Sequence, residues 1–433
     1  LRKGGLTFVS CPSCGRADVD LVKLAKEVED EFRGLNEEIH IAVMGCVPEG
    51  ERVVTSEGPK PIEAVGEGDE VLTHEGAYRK VAWATSHRYE GEIVEVHPTG
   101  FAPFRLTPNH RVWAFPRASR KKAGRERYPK VLSALEAGDE PRWTPAGELA
   151  RGWVLAYPVM LDKEDRATIS VEGLGEIAVD EDFLTLAGYY VSEGTLSGKN
   201  GTPYQQFFYF HERQTAYVER LRAILAGLGI GSQVRHRRHT AEVVTHSLAL
   251  GRLLADLFGR RAARKSLPSW MERLPHDKQR ALIRALWEGD GYVGRVRGYW
   301  RATYSTSSER LGLQVHHMLL RLGVAALLHH RDQRDRQRNW LVSVTSQPAL
   351  SRLASILGLG NLSGCDRLRT AQVALDERAL YVGVRAVKRV PWDGHVHNLE
   401  VEGVHSFSVP GAALHNCEVN GPGEARAADI GVA

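Results

Sequence analysis

The residues that could carry out covalent chemistry lie at two distant places in the sequence. The stretch VMGC ends at Cys46, and the stretch LHNC brings His415, Asn416 and Cys417 together. A cysteine thiolate can attack a carbonyl carbon to form a thioester, and a histidine exchanges protons near neutral pH. An isolated Asn-Cys pair is usually only part of a turn. The occurrence of both stretches in one chain makes them candidates for acyl transfer.

The cysteine content indicates reduced thiols rather than disulfide bonds. The chain has five cysteines, an odd number, and it shows no secretory leader. Cys11 and Cys14 form the motif CPSC, whose spacing lets both sulfurs reach one metal or each other. Zinc sites, iron-sulfur sites and redox pairs share this spacing, so the motif by itself leaves the three alternatives open.

Two carboxylates end two similar apolar stretches in the middle of the chain. Glu193 lies in LTLAGYYVSEGT and Asp290 in LIRALWEGDGYV, and each is followed by strand-like residues, a helix, one strand and a closing helix, SLALGRLLADLFG or SQPALSRLASILG. A duplicated unit usually packs about a pseudo-twofold axis, and small residues let twin helices approach closely. Facing carboxylates repel each other unless a divalent cation lies between them. Either acid alone is by default a helix-end residue, but the pair predicts a Mg²⁺-dependent phosphodiesterase site.

The elements that position these residues must belong to several domains. A chain of 433 residues is too long for one compact core, and its 42% hydrophobic and 25% charged residues are typical of a soluble protein. No stretch approaches the roughly 20 apolar residues of a membrane span. Because the chain starts with Leu1 and lacks a leader, we expect a fragment of a cytoplasmic protein with no membrane partner.

Positive charge is clustered, although the net charge is only +4. The basic clusters are RASRKKAGRERYPK, QVRHRRH, GRRAARK and RDQRDRQR. Clusters of this kind can neutralise phosphates along a polyanion. Each cluster alone is better explained as solvated surface, but together they favour nucleic acid as a partner.

Three patterns of secondary structure follow one another. Residues 1–45 are predicted to form a strand, a helix and a strand, with the CPSC motif in a loop. From Cys46 to about Tyr157, short alternating runs separated by turns predict an all-β module, which resumes near the C-terminus. The region from about Ile169 to Leu375 mixes helical and strand patterns, so it predicts an α/β module inserted into the β module.

These motifs together resemble those of inteins that carry a LAGLIDADG homing endonuclease. The intein-like blocks are CVPEGERVVT, RLTPNHRVW, VHNLEVEGVHSF and LHNC, and the resemblance covers Cys46 to Asn416. The two apolar stretches resemble the paired LAGLIDADG motifs. Outside this segment, CPSCGR, VMG and CEVNGPGEA resemble the iron-sulfur domain of the hydroxymethylbutenyl diphosphate synthase (IspG/GcpE) family. Removal of the segment would join Gly45 to Cys417.

The resemblance implies a multidomain fold. An all-β, horseshoe-shaped Hint splicing domain is expected to be split by an α/β LAGLIDADG endonuclease with pseudo-twofold repeats. Pieces of an α+β iron-sulfur domain are expected to flank it. The implied boundaries are 1–45 and 417–433 for the iron-sulfur pieces, 46–168 and 376–416 for the Hint domain, and 169–375 for the endonuclease.

The resemblance also implies how autocatalytic splicing begins, without any cofactor. Cys46 attacks the carbonyl of Gly45 to form a thioester. Thr107 and His110 hold the amide that is cut, and His110 protonates its departing nitrogen.

The later steps of splicing are implied in the same way. Cys417 takes over the thioester, and Asn416 then cyclises to release the branched intermediate with help from His415 and His405. Asn398 stands where many relatives have an acid, and an amide can form hydrogen bonds there but cannot carry a proton.

For the flanking host, the resemblance implies a 4Fe–4S cluster. Cys11, Cys14 and Cys417 are its implied thiolate ligands, and Glu424 is the implied oxygen ligand, with a helix-start acid as the alternative for that residue. The spliced host is expected to be a homodimer that takes electrons from a donor protein. The excised segment is expected to be a monomer that binds double-stranded DNA, namely the host gene without the insertion.

Three interpretations remain open. The chain is a splicing precursor with an active endonuclease, a splicing precursor with an inactive one, or a metalloenzyme with a permanent DNA-binding regulatory insertion. The third interpretation gives no reason for Cys46, His415, Asn416 and Cys417 to occur together. One carboxylate per motif is necessary for cleavage but not sufficient, so the sequence does not separate the first two.

Overall fold

The computed structural model describes most of the chain. The described residues are 7–9, 40–43, 45–122, 125–198, 201–296, 298–331, 339–360, 362, 371–416 and 430–432. The helix predicted after Asp18 lies outside them.

Strands from both ends of the chain share one sheet. The predicted strands near the N-terminus are confirmed as β1 (Thr7–Val9) and β2 (His40–Val43), which run parallel. On its other side, β2 pairs in parallel with the last strand, β28 (Ile430–Val432). The two pieces that flank the intein-like segment therefore meet in one sheet of the uncut chain.

Short antiparallel strands follow Cys46, as the alternating pattern predicts. They are β3 (Val47–Pro48), β4 (Arg52–Thr55), β5 (Gly58–Pro61), β6 (Glu70–Leu72), β7 (Tyr78–Pro98), β8 (Phe104–Leu106), β9 (Arg111–Phe115), β10 (Arg120–Lys122), β11 (Arg125–Arg127), β12 (Arg142–Pro145) and β13 (Val154–Pro158). The prediction of an all-β module missed one short helix, α1 (Val131–Glu136). Val131 and Ala134 are buried at helical spacing, and Gly138 follows the helix in the left-handed region at φ 92°.

The β module resumes near the C-terminus. Its strands there are β24 (Val373–Leu375), β25 (Ala379–Val401), β26 (Ser406–Val409) and β27 (Ala412–His415). The runs YVGVRAVKRV and HVHNLEVEG look separate in the sequence but belong to one strand, β25, because it pairs with β7 along its length. The predicted boundary between 375 and 376 falls between β24 and β25, which pair with each other.

The β module is built on one 13-stranded sheet. Its main path runs in the order β26, β27, β9, β13, β25, β7, β6, β4 and β5, and β3, β8, β12 and β24 pair at its sides. Both ends of the 46–416 segment join this sheet, because β3 pairs with β25 and β27 pairs with β9. One continuous sheet thus fixes the positions of the two chain ends that are candidates for chemistry.

The central region contains two units with the same order of elements. A hairpin of β14 (Thr168–Val171) and β15 (Gly175–Ala178) precedes them, and α5 (Ser269–Glu272) lies between them. The first unit is α2 (Glu181–Glu193), β16 (Gly194–Ser197), β17 (Gln205–His211), α3 (Thr215–Gly227), β18 (Ser232–Arg237), β19 (Thr240–His246) and α4 (Leu248–Phe258). The second unit is α6 (His276–Asp290), β20 (Gly291–Val296), β21 (Tyr299–Thr306), α7 (Glu309–Arg321), β22 (Leu327–Arg331), β23 (Asn339–Val344) and α8 (Gln347–Leu357).

The repeat is also visible in the sheets. The strands are ordered β16-β17-β19-β18 in the first unit and β20-β21-β23-β22 in the second. The sequence indicated one strand before each closing helix, whereas the structure has two. The extra strand of the first unit, β18, has only one apolar residue, Val234, so its alternation is weak.

Polar contacts, one of them fully buried, join the two modules. The Tyr157 hydroxyl of β13 lies 2.6 Å from Nε2 of His317 in α7, and both side chains are buried. Arg52 of β4 forms an ion pair with Glu309 at the start of α7. The chain is thus a mixed α/β multidomain protein with large sheets. Among the described residues, no helix combines the length and apolar character that a membrane crossing requires.

Candidate functional site

Thr107 forms hydrogen bonds with the backbone on both sides of the Cys46 Cα, at the N-terminal junction of the 46–416 segment. Cys46 is fully buried, and its N–H, which belongs to the Gly45–Cys46 peptide bond, donates to Thr107 Oγ1 at 2.8 Å. The carbonyl oxygen of Cys46 accepts from the Thr107 hydroxyl at 3.1 Å and from the Thr107 backbone N–H at 3.0 Å. The hydroxyl thus accepts one hydrogen bond and donates another, which fixes the orientation of the junction amide.

His110 lies beside the same junction, in the turn between β8 and β9. Its ring packs against Phe407 with the centroids 6.0 Å apart. A Cβ on Gly45 would lie 2.6 Å from His110 Cα, so only glycine fits at this position. Burial lowers the pKa of His110 to about 4, although a backbone hydrogen bond with Gly45 acts in the opposite direction. The imidazole is therefore neutral near neutral pH.

The C-terminal junction contains a buried amide. Asn416 is fully buried, and its backbone N–H donates to the carbonyl of His405 at 3.2 Å. Its side-chain Nδ2 and Oδ1 have no hydrogen-bond partner among the described residues. Nδ1 of His415 is in close hydrogen-bond contact with the carbonyl oxygen of Asn416. In the tautomer protonated at Nδ1, the ring donates to the carbonyl of the bond between Asn416 and Cys417.

The two junctions meet at the beginning of β9. The turn that holds Cys46 leads directly into β9, and β27 pairs with β9 at His415 and Arg111. The rings of His405 and His415 are stacked with their centroids 6.5 Å apart. The charge of His415 also lowers the pKa of His110, so the junctions lie within electrostatic reach of each other.

Asn398 lies on the other side of the N-terminal junction. In β25 it follows His397, which pairs with Val47, so its register position is next to Cys46. Its side chain is buried, and its Oδ1 accepts the backbone N–H of Leu399 at 3.0 Å. The structure therefore brings together every predicted splicing residue that it describes. Cys11, Cys14, Cys417 and Glu424 lie outside the described residues.

The two predicted acids end the first helix of each repeat. Glu193 is the last residue of α2, and Asp290 is the last residue of α6. The helices pack so closely that a Cβ on Gly188 of α2 would lie 2.5 Å from the Cβ of Ala285 in α6. The small residues therefore bring the helices together, as the sequence predicted.

The two carboxyls influence each other electrostatically. Burial and the charge of Asp290 raise the pKa of Glu193 to about 7. Burial also raises the pKa of Asp290 to about 6. The positive charge of Lys265 lowers both values and so partly offsets the burial.

Lys265 was missed by the sequence analysis, which placed it in a surface cluster, GRRAARK. Its side chain is buried, and its ammonium donates to the carbonyls of Tyr190 at 2.6 Å, Val191 at 3.0 Å and Gly194 at 2.7 Å. Burial lowers its pKa to about 8 despite the two nearby acids. Nothing in the run GRRAARK distinguishes this lysine from its exposed neighbours.

The donors of this second site fit a magnesium ion. Carboxylate oxygens are hard ligands, and Mg²⁺ is commonly held by one or two carboxylates together with waters and substrate phosphates. Glu193 and Asp290 provide that number, and the part of the chain that the structure describes has no cluster of three or more His, Cys, Asp or Glu that could hold a metal. The site therefore needs phosphate or water oxygens to complete its coordination.

The basic clusters differ in exposure. Arg117 of the first cluster is buried and donates to the carbonyls of Gly152 at 2.7 Å and Pro129 at 2.8 Å, so it has a structural role. Arg235 and Arg237 are exposed on β18. The cluster RDQRDRQR lies almost wholly outside the described residues. The prediction of a basic surface is thus confirmed for β18 and for Arg260, Arg261 and Arg264, but not for Arg117 or Lys265.

Three family models match parts of the chain, and the first two overlap over residues 45–57. The GcpE protein C-terminal domain matches residues 7–57, the Hint domain matches residues 45–127, and the LAGLIDADG-like domain matches residues 277–358. The matches support an intein-like arrangement. The Hint match begins at the junction described above, and the LAGLIDADG-like match covers the second repeat, including Asp290.

Curated relatives align over most of the chain. An iron-sulfur cluster assembly SufBD family protein of Mycobacterium tuberculosis is 29% identical over 387 residues, covering 87% of this chain and 43% of the relative. The ATP-dependent DNA helicase Hel308 of Thermococcus kodakarensis is 26% identical, covering 96% and 39%, respectively. Protein RecA of Mycobacterium tuberculosis is 27% identical, covering 73% and 37%. The chain spans less than half the length of these relatives.

Solved structures match part of the chain. Mesophilic variants of the homing endonuclease I-DmoI match 42% of this chain and 98% of their own, with a TM-score of 0.34 and 15% identity. The full-length DUF199/WhiA protein from Thermatoga maritima matches 42% of this chain and 57% of its own, with a TM-score of 0.31 and 11% identity.

Proposed function

We propose that this chain is an intein-containing precursor that excises residues 46–416 and ligates Gly45 to Cys417. The observation that carries the proposal is the convergence of Cys46 and Asn416 on the Thr107–His110 turn and β9. The relatives add support, because an iron-sulfur assembly protein, a helicase and RecA have unrelated names and yet align with this chain. A segment inserted into different hosts explains that combination.

In the first step, the Cys46 thiolate attacks the carbonyl carbon of Gly45. The bond from that carbon to the Cys46 nitrogen breaks, and a thioester forms. The nitrogen must gain a proton as it leaves. Because His110 is neutral at rest, it can first accept the thiol proton of Cys46 and then give that proton to the departing nitrogen. Thr107 holds the amide in the orientation for attack.

In the second step, the thiolate of Cys417 attacks the thioester and displaces the sulfur of Cys46. Residues 1–45 are then attached to Cys417 as a branch. Asn398, buried beside Cys46, can position groups by hydrogen bonding, but its amide cannot carry the proton. The Cys46 sulfur leaves as a thiolate, so this exchange needs no strong acid.

In the third step, Nδ2 of Asn416 attacks its own carbonyl carbon and the bond from that carbon to the Cys417 nitrogen breaks. The proton lost by Nδ2 passes to the departing nitrogen, which leaves as the amine of Cys417. The contact from His415 Nδ1 polarises the carbonyl oxygen and stabilises its negative charge in the transition state. The backbone carbonyl of His405 accepts the backbone N–H of Asn416 and so holds this residue in place. The freed amine of Cys417 then attacks its own thioester, and the final amide joins residues 1–45 to 417–433.

Mass spectrometry of the freshly expressed chain tests this function. We expect a product made of residues 1–45 and 417–433, together with the free segment 46–416. Asn416→Ala should stop release at the C-terminal junction but leave the thioester, so that added thiol still releases residues 1–45. A ligated product from Asn416→Ala would contradict the mechanism.

For the central region we propose a DNA endonuclease whose metal is held by Glu193 and Asp290. The carrying observations are the LAGLIDADG-like match and the two acids at the ends of twin helices, whose pKa values are both raised. Bound Mg²⁺ would stabilise charge on the phosphate and lower the pKa of an attacking water. The buried Lys265 adds a positive charge to the same site, and the exposed arginines of β18 suit a DNA backbone.

Substitution of one acid tests the endonuclease. Asp290→Asn should abolish Mg²⁺-dependent cutting of the insertion-free host gene, while DNA binding in a gel shift and splicing both persist. Asp277→Asn, at the exposed start of α6, is the matched control and should cut like the parent. A parent that binds but does not cut would favour the inactive-endonuclease alternative, and an unspliced chain that binds DNA would favour a permanent regulatory insertion.

For the spliced host we propose an iron-sulfur protein of the hydroxymethylbutenyl diphosphate synthase family. The GcpE match and the shared sheet of β1, β2 and β28 support this host. Cys11, Cys14, Cys417 and Glu424 are the proposed ligands of its 4Fe–4S cluster. An electron-donor protein, a homodimeric host and a cytoplasmic location belong to the same proposal, as does a monomeric excised segment. Anaerobic reconstitution of the spliced product, followed by iron and sulfide analysis, tests the cluster.

A further inference from the structure

We propose that Trp143 is a positioning residue for the cyclisation of Asn416, an inference that rests on the proposed splicing function. Trp143 lies in β12, outside all the motifs that pointed to splicing. Its ring meets that of His415 edge to face, with the centroids 4.8 Å apart and the planes at 78°. The His415 ring is the one that contacts the carbonyl oxygen of the bond to be cut.

The Trp143 ring is itself held in place by contacts with neighbouring rings, one of which is tied back to the strand opposite His415. His74 meets Trp143 edge to face at 5.1 Å, and Nδ1 of His74 lies 2.8 Å from Oγ of Ser406. Ser406 in turn pairs with His415 across β26 and β27. The indole therefore stands between two histidines, and the second histidine is tied to the strand opposite His415. Trp113, which pairs with Trp143 across β9 and β12, packs against the same indole at 6.2 Å.

This arrangement restricts the rotation of the His415 ring. An imidazole on a half-exposed strand end can adopt several rotamers, and only one of them directs Nδ1 to the carbonyl of Asn416. Edge-to-face aromatic pairs stabilise one relative orientation beyond simple burial. Removal of the indole would therefore reduce the share of molecules in which His415 is ready to act. The thioester step would be unaffected, because Cys46, Thr107 and His110 make their contacts elsewhere.

The test uses the full chain and follows the two junctions separately. Trp143→Leu keeps an apolar side chain against Trp113 but removes the ring that faces His415. We expect release at the C-terminal junction to slow by about tenfold, which matches the upper end of an aromatic pair's contribution. Thiol-induced release of residues 1–45 should stay within about twofold of the parent, because the thioester step is intact. Trp143→Phe restores a ring and should recover most of the lost rate.

Trp392→Ala is the matched control. It removes a half-buried tryptophan of the same β module whose ring contact is with Arg105, at 4.9 Å, and should leave C-terminal release at the parental rate. Equal slowing at both junctions in Trp143→Leu, or no slowing at either, would overturn the positioning role while splicing by the parent stands. A parent that gives neither the thiol-released fragment nor a ligated product would instead overturn the proposed function, and the positioning role with it.

Discussion

At the scale of residues, the hydroxyl of Thr107 holds the N-terminal junction in place. The Thr107 hydroxyl accepts the N–H of Cys46 and donates to its carbonyl, so both polar groups that flank the Cys46 Cα are satisfied in a fully buried place. A buried amide without a partner is costly. The same contacts therefore contribute to stability and to the alignment of the bond to be cut.

Thr107→Val removes both hydrogen bonds and keeps the shape. We expect the thioester step to slow by about tenfold to a hundredfold, because the amide loses its orientation and a buried N–H loses its acceptor. The rate of thiol-induced release of residues 1–45 measures the effect. Thr107→Ser keeps the hydroxyl and should stay near the parental rate; the hypothesis fails if valine and serine give the same rate.

The paired carboxyls of Glu193 and Asp290 give a second prediction at this scale. Both Glu193 and Asp290 have pKa values above their ordinary range. Between the ordinary and the raised pKa values, these two groups therefore bind more protons in the folded state than in the unfolded chain. The contribution of these two carboxyls to stability must then fall as the pH rises from about 4 to about 7. Metal binding needs both carboxylates ionised, so the apparent affinity for Mg²⁺ should rise over about pH 6 to 8.

Thermal unfolding and Mg²⁺ titration at several pH values check both trends. Asp290→Asn should raise the melting temperature at about pH 8 relative to the parent, because it removes a carboxylate whose charged form is disfavoured in the folded state. The difference should be much smaller at about pH 4, where the folded carboxyl is protonated and the unfolded one is still partly protonated. A parental melting temperature for this variant at the higher pH would show that the charge of Asp290 does not lower stability.

At the scale of elements, the approach of α2 and α6 decides whether the two acids can share one metal. Glycine inside a helix usually lowers stability relative to alanine by about 1 kcal/mol. At Gly188 this preference should reverse, since an added methyl group would lie 2.5 Å from the Cβ of Ala285. The packing of the helix pair thus outweighs the helix propensity of its residues.

Gly188→Ala should therefore lower the melting temperature and weaken DNA cleavage, because the helices and their terminal acids move apart. The matched control is Gly227→Ala, at the end of α3, where an added Cβ meets nothing within 4 Å. The control should melt at or above the parental temperature. Calorimetry and a cleavage assay of both variants decide the point, and equal melting of the two would refute the packing argument.

At the scale of the whole molecule, the α/β module contacts the β module through α7. The Tyr157 hydroxyl and His317 form a buried hydrogen bond, and Nδ1 of His317 lies 3.2 Å from a carboxylate oxygen of Glu272. The ion pair of Arg52 and Glu309 lies at the edge of this contact. We therefore expect the two modules to unfold as one unit in the intact chain.

Tyr157→Phe tests this coupling, since it leaves Nε2 of the buried His317 without its partner. The expected loss is about 1–3 kcal/mol, and calorimetry should show the single transition broaden or split. Tyr381→Phe is the control, because its hydroxyl donates to Asp376 within the β module at 2.9 Å. A split transition in the control as well would show that the effect does not arise at the contact between the modules.

Many secondary-structure elements of this protein, and its junction residues, can be predicted from local sequence patterns. The alternating runs after Cys46 predicted strands such as β4 and β9, and the duplicated stretches predicted twin helices that end at Glu193 and Asp290. The spacing of apolar residues along the chain determines these features, because it shows which face of a helix or strand is buried. The junction residues were also visible, since their types and order suffice to suggest acyl transfer.

Only the tertiary structure showed which distant groups share an environment. Lys265 looks like its exposed neighbours, and its burial depends on the end of α2 folding over it. Trp143 carries no motif, and its contact with His415 arises because β12 and β27 both pair with β9. The low pKa of His110 likewise follows from burial by β26 and the junction itself. Burial, register and electrostatic proximity depend on segments far apart in the chain, so no local pattern can encode them.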